Sequence, residues 1–294
     1  MNYIVFDLEW NQPATEEDTV TEPVYLTGEI IEIGAVKLND AFETVDEKRI
    51  YVMPKYYTKL HNKIASLTGI SNRTLQEQGL PFPEAFAEFK DWCGEEYTYM
   101  TWSESDLTAL IENMLLHGMD ISNLPDCCDA QRIFDREILR EERKCSLDKA
   151  IEILGETGDK AHDALHDARN TVLVCNHMDL EEYIGEYTSR VFGEPSSTVV
   201  YESIDQALEA PQNTEFLCPW CGEPVTAGDW VPLRGNRYMG MGSCGEEDEF
   251  IVYLNFNRCH EGWRVMRVIY EMSDDLWDQY QDGLEARDGQ TANV

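Results

Sequence analysis

"KAHDALHDARNT", residues 160–171, decides how this chain is read. It crowds the titratable groups His162, Asp163, His166 and Asp167 together. Ala161, Ala164, Leu165 and Ala168 supply a packing side, so the polar residues must point elsewhere. A solvated helix face explains some of them. His162 differs, because it precedes Asp167 by five residues and stands where the helix begins, free to face a site. One long helix is predicted over 163–184.

Working outward, "YIVFDLE" at the N-terminal end reads as a strand with Ile4, Phe6 and Leu8 on one face and Asp7 and Glu9 on the other. Residues two apart on a strand share a face at roughly 6.6–7 Å, so Asp7 and Glu9 can ligate one hard cation between them. D-x-E alone is a weak signal, and a polar surface strand would look the same. Its place at the end of a first, strongly apolar strand strengthens it. In "YMTWSESDLTALIENML", a strand runs out at Trp102–Ser103 and Asp106 stands at a helix start. Ordinary N-terminal capping by Ser103, Ser105 or Asp106 accounts for that stretch by itself.

The remaining pattern predicts strands at 29–38, 48–54 and 97–103 and helices at 83–94, 105–118 and 146–155, with Ser146 and Gly155 as caps. Strands followed by alternating helices and strands imply an α/β mixed sheet flanked by helices, ending near residue 190. The acidic segment 12–27 reads as a solvated loop, with a flap beside the site as the alternative. Residues 191–215 read as a linker and 216–294 as a small acidic β-rich module with a frayed tail.

The chain has 294 residues and a net charge of −34, from 23 basic against 57 acidic side chains. That balance argues against a broad basic surface for duplex DNA. It is compatible with an enzyme that holds a short single strand through metals, stacking and a few cations. No lysine follows Lys160, so the C-terminal part is a poor nucleic-acid clamp. No apolar run approaches the roughly 20 residues of a membrane span, and the N-terminus lacks signal-peptide character. The expected location is the cytoplasm. Among nine cysteines, Cys93, Cys145 and Cys175 sit inside apolar patterns, as reduced, buried thiols do.

Together F-D-L-E, W-S-E-S-D and A-H-D-A-L-H-D-A resemble the three motifs of the DEDDh 3′–5′ exonucleases. "EIIEIGAVKL" (29–38) resembles that family's second strand and "LTGIS" (67–71) its Leu-Thr-Gly-Ile segment. The resemblance covers residues 1–185 and implies a ribonuclease H-like fold. It implies two Mg²⁺ or Mn²⁺ ions among Asp7, Glu9, Asp106 and Asp167, with His162 as general base. His166 is the runner-up base, although its helix position points it about 100° from Asp167. The family's 3′-terminal nucleotide meets the residues after the glutamate, which implies substrate contacts at Leu8, Trp10 and Asn11. Here Trp10-Asn11-Gln12 replaces the family's usual small residues. Trp10 can stack on a base or turn into the core, and Leu8 suits the core.

"FLCPWCGEPV" (216–225) has the C-x-x-C-G form of a zinc knuckle. Cys244 returns near Cys218 and Cys221 if 227–233 and 237–244 form a hairpin. The fourth ligand is open: Asp248 or another acid can serve, whereas Cys259 and His260 fall at the opposite end. A degenerate ribbon with merely packed cysteines is the alternative. The sequence thus predicts a metal-dependent 3′–5′ exonuclease on single-stranded RNA, DNA or short oligonucleotides, with a possible protein partner for the acidic module. A catalytically inactive adaptor of the same fold is the competing expectation. Oligomeric state is not legible.

Overall fold

The computed structural model describes residues 1–121, 124–140, 144–193, 199–233, 236–245 and 248–291. The chain forms two compact units. The first comprises Met1–Val20, Leu26–Met119 and Pro125–Thr188; the second comprises Thr21–Tyr25, Asp120–Leu124 and Ser189–Val294.

In the first unit the order is β1 (Asn2–Asn11), β2 (Glu29–Leu38), β3 (Thr44–Met53), α1 (Asn62–Thr68), α2 (Asn72–Gln78), β4 (Leu80–Pro81), α3 (Phe82–Cys93) and β5 (Tyr97–Thr101). Then come α4 (Ser105–Leu116), β6 (Cys127–Asp129), α5 (Ala130–Phe134), α6 (Leu147–Leu154), α7 (Ala164–Cys175), α8 (Leu180–Tyr183) and β7 (Thr188–Ser189). The strands make one mixed sheet in the order β4-β3-β2-β1-β5-β6-β7. β1 is central, antiparallel to β2 and parallel to β5. Alternation on β1 feeds two cores. Phe6 packs edge-on to Tyr99 and Phe89 of β5 and α3. Val5, on the other face, shares a core with Ala168 and Val172 of α7.

The predicted caps of α6 are in place: Ser146 accepts from the Lys149 amide, and Gly155 sits at φ 72°. Cys93, Cys145 and Cys175 are buried thiols. The single helix expected over 163–184 is instead two. α7 stops at Cys175, and α8 restarts where the Asp179 carboxylate accepts from the Glu182 amide. The local capping bond outcompetes continued periodicity. The 12–27 segment is not wholly solvated, since Leu26 is fully buried. The Tyr57 hydroxyl fastens it by accepting from the Val20 amide and donating to the Leu26 carbonyl.

The second unit holds β8 (Val191–Gly193), α9 (Ile204–Leu208), α10 (Pro211–Thr214), β9 (Glu215–Leu217), β10 (Pro224–Thr226), β11 (Gly228–Leu233), β12 (Arg237–Cys244), β13 (Asp248–Cys259), β14 (Gly262–Glu271) and α11 (Asp274–Thr291). β11-β12-β13-β14-β8 form an antiparallel sheet, with β9 and β10 a separate hairpin. The stretch expected as a linker therefore carries β8, α9 and α10. The tail expected to fray is helical to Thr291, because Leu276 and Tyr280 anchor α11 in a core with Val231, Met239 and Ile251. Among the described residues no helix is long and apolar enough to cross a membrane.

Candidate active site

The site begins with a close approach of helix to sheet. Asp7 of β1 stands opposite Gly34 of β2. A Cβ on Gly34 would lie 2.0 Å from the Leu165 nitrogen and 2.1 Å from the Ala164 carbonyl carbon. Only a residue without a side chain lets the first turn of α7 rest there. Ala164 and Ala168, both fully buried, keep that seam narrow. Asp7 and Glu9 share the β1 face that Val5 turns toward α7, so Asp167 in the first turn of α7 is brought to them.

The segment before α7 is shaped around Asp167. The His162 amide donates to Asp167 Oδ2 at 2.8 Å, and His162 itself holds a left-handed φ of 66°. Asn170, one turn along α7, donates to Asp167 Oδ1 at 3.3 Å. The same side chain accepts from the Asp159 amide at 2.7 Å and donates to the Asp159 carbonyl at 3.2 Å. It thus ties the chain leading to His162 onto the helix. The His162 ring is exposed, and Glu9, His162 and Asp167 each offer a ligand atom within 4.8 Å of the others.

Asp106 arrives from α4. β5 pairs with β1 only as far as Val5 and Met100, so the chain after it is free to turn away. The Leu8 amide beyond that point donates to Asp106 Oδ1 at 2.9 Å. Capping, the simplest account of this stretch in the sequence, does not describe it. The α4 N-cap is Glu104, with no side-chain capping bond, while Asp106 is buried against β1.

These carboxylates repel one another. Burial, then Asp106, Asp167, Glu9 and Glu32, push Asp7 well above the usual carboxylate range. Burial, followed by Asp167 and Glu32, lifts Glu9 to about 8. Asp106 rises to about 7, chiefly by burial, against the Leu8 and Ser105 donors that favour its charged form. Asp167 is raised too, again mainly by burial, despite the His162 amide and Asn170. Among the described residues no donor hydrogen-bonds the Asp7 or Glu9 carboxylate. A close set of hard oxygen donors that repel one another suits a divalent cation such as Mg²⁺ or Mn²⁺.

Behind the set lies a support that sequence reading missed. Glu32 sits opposite Glu9 across β1 and β2, 1 % exposed, and burial raises it to about 7. Arg49 of β3 pairs with it at 3.1 Å and also pairs with Asp163, the N-cap of α7. The Ala164 amide points at Glu32 Oε2 at 3.4 Å. A charged residue within the otherwise apolar "IIEIGAV" (30–36) was the available signal.

The expected substrate contacts fare differently. Leu8 is core, 3 % exposed, and reaches the site only through its amide. Trp10 is half-buried, with its indole where a Cβ on Gly28 would fall. Asn11 is a correction, for it is fully buried and occupied. Its amide group donates to the Tyr57 and Lys59 carbonyls at 2.6 and 3.0 Å, and its oxygen accepts from the His61 amide at 2.9 Å. It organises the 57–61 turn and has no donor left for a nucleotide. His166 Nδ1 lies 3.7 Å from Asp163, whereas it is His162 that groups with Glu9 and Asp167. In the second unit Cys218, Cys221 and Cys244 come together.

A mixed sheet with carboxylates from its central strand and two flanking helices defines the class: a ribonuclease H-like nuclease fold. The family described as RNase T exonuclease matches residues 4–175, more than half of the chain, and the chain belongs to that family. None of the curated proteins matches it. Among solved structures it is similar to the nuclease domain of 3′hExo, a DEDDh family member bound to rAMP. That similarity has a TM-score of 0.52 and 22 % identity over 62 % of this chain and 93 % of the other. It is similar to a 3′-exonuclease in 3′-end-specific recognition of a histone mRNA stem-loop, with a TM-score of 0.53 and 19 % identity over 80 % and 94 %. It is also similar to cell-death related nuclease 4, with a TM-score of 0.51 and 20 % identity over 60 % of this chain. It spans 62 % of that nuclease's length.

Proposed function

We propose that this chain is a divalent-metal-dependent 3′–5′ exonuclease that releases nucleoside 5′-monophosphates from single-stranded RNA or DNA, with the chemistry in residues 1–190. The observation that carries this reading is the gathering of Asp7, Glu9, Asp106 and Asp167 beside an exposed histidine, with pKa values raised by burial and then by mutual repulsion. A protein that only docks onto partners has no use for such a cluster. Binding of rAMP and of a 3′ RNA end by two structural relatives supports RNA as the first substrate to try.

The four carboxylates would hold two Mg²⁺ or Mn²⁺ ions, which supply Lewis-acid activation of water and charge neutralisation at the phosphate. Asp7, on which the other three act, would be the central ligand of that set. His162 takes a proton from the attacking water on a ring nitrogen, the kind of exchange for which imidazole is the usual side chain near neutral pH. The water oxygen bonds to phosphorus, and the bond from phosphorus to the 3′ oxygen of the preceding nucleotide breaks. That oxygen is protonated, leaving a chain with a new 3′ hydroxyl. A net charge of −34 disfavours long polyanions held by surface cations, so short strands and distributive cutting are expected.

The test incubates 5′-labelled single-stranded RNA and DNA with the protein and Mg²⁺, Mn²⁺ or EDTA. A stepwise ladder that needs metal, and that falls by about 10³-fold in Asp7→Asn, is expected. Product that persists in EDTA or in the variant would overturn the assignment. No cleavage of either polymer or of dinucleotides would favour the adaptor.

A further inference from the structure

The second unit carries a donor set that the nuclease chemistry does not use. Cys218 and Cys221 flank the turn between β9 and β10. The Gly222 amide donates to the Cys218 carbonyl at 2.9 Å, the Cys218 amide to the Glu223 carbonyl at 2.8 Å, and Gly222 turns the chain at φ 77°. The amides of Trp220 and Cys221 point at the Cys218 sulfur. Such N–H to sulfur contacts orient a metal-binding thiolate from behind.

The other half comes from a different hairpin. Cys244 closes β12, Asp248 opens β13, and the two are direct cross-strand partners. Opposed residues of an antiparallel pair project from the same face about 4.5–5.5 Å apart at Cβ, so the register presents a thiol and a carboxylate side by side. Cys221 Sγ lies 3.4 Å from Cys244 Sγ, and Cys218 Sγ 3.8 Å from Asp248 Oδ2. The three sulfurs fall within 4.8 Å of one another, and all three cysteines are free. Cys259 and His260 are excluded as ligands. Cys259 ends β13 eleven residues after Asp248, and His260 follows it, a separation of roughly 35 Å or more at 3.3 Å per residue.

We propose that Cys218, Cys221, Cys244 and Asp248 hold one Zn²⁺ through three thiolates and one carboxylate oxygen, pinning the β9–β10 turn to the tip of the β12–β13 hairpin. Four protein ligands leave no open position, which makes the site structural. The soft sulfur donors separate it from the all-oxygen set of the first unit, which prefers Mg²⁺ or Mn²⁺.

The test uses the full chain, purified under reducing conditions and reconstituted with Co²⁺, whose sulfur-to-metal charge-transfer band reports thiolates only. Exonuclease activity in Mg²⁺ is measured alongside, so the two assignments fail separately. One equivalent of thiolate-bound Co²⁺, displaced by Zn²⁺, is expected. Cys244→Ser should lower the band by about one third, since it removes one of three thiolates, and Asp248→Cys should raise it by a similar amount. No charge-transfer band in the parent chain would overturn the site. A parent band that Asp248→Cys leaves unchanged, in a variant that still binds Co²⁺, would overturn Asp248 as the fourth ligand.

Discussion

Glu29 and Asp7 are acids on adjacent interior strands of one sheet. Glu29, 2 % exposed, accepts from the amides of Lys55, Tyr56 and Tyr57, and no other carboxylate is among the groups that shift its titration. Burial raises it, and those three donors hold it down. Among the described residues Asp7 has no such donors, and it has Asp106, Asp167, Glu9 and Glu32 around it. Burial alone therefore does not mark a functional acid. The mark is burial with like charges and without donors, which stores a demand for a cation. Glu112 falls on the structural side. It is pushed to about 7 by burial but held by the Thr27 amide and hydroxyl at 3.1 and 2.7 Å.

The largest expected effect comes from moving one half of the Asp7 set without touching an acid. Gly34→Val places side-chain atoms where the Ala164–Leu165 backbone now runs and must lift the start of α7, carrying Asp167 and His162 away from Asp7 and Glu9. A displacement of about 1 Å at reacting groups costs on the order of 10²-fold in rate. We expect kcat/KM to fall by about that factor while circular dichroism and the thermal transition still report a folded chain. A folded Gly34→Val variant with parental kcat/KM would break the link between the close helix approach and the site.

The sequence makes part of this design legible. Spacing alone puts Asp7 and Glu9 on one strand face, and the run from His162 to Asp167 announces a histidine and an acid at a helix start. Asp106 is not readable in isolation, because helix N-termini favour the same residues for capping. Its partner, the Leu8 amide, is 98 positions away and lies beyond the last β1–β5 pair. Gly34, Asn170 and the pairing of Glu32 with Arg49 and Asp163 are likewise invisible, since each acts through a residue distant in sequence or in another element, even though Glu32 stands out as a charge in an apolar run. Asn11 misled for a related reason. A polar residue beside two acids looks available for substrate, and only the fold reveals that three backbone groups already consume it.

An effect of middle size tests the structural side of the comparison. Glu29→Gln keeps the volume but turns one acceptor into an NH₂ group facing backbone amides. Leaving buried donors unsatisfied costs about 1–3 kcal/mol. We expect a loss of about 2 kcal/mol in urea unfolding, with the metal dependence of cleavage unchanged. A change in that dependence would mean that Glu29 belongs with the cation set after all.

The smallest effect has a sign fixed by the raised acids. In cation-free protein Glu9 titrates near 8 and Glu32 near 7, both from an ordinary value of 4.5. The folded state then holds protons that the unfolded chain has released. The resulting stabilisation is fully present below about pH 4.5 and is lost as pH rises through 7 to 8. A divalent cation favours the ionised acids and opposes that loss. In EDTA the melting temperature is expected to fall by a few degrees, about 2–4 °C per kcal/mol for a chain of this size, between pH 5 and 8. Mg²⁺ or Mn²⁺ should raise it more at pH 8 than at pH 5. General repulsion among the surface acids gives a slope of the same sign, so Glu9→Gln is the control. If the slope in EDTA is as steep in that variant as in the parent, the pH dependence comes from the acidic surface and not from Glu9.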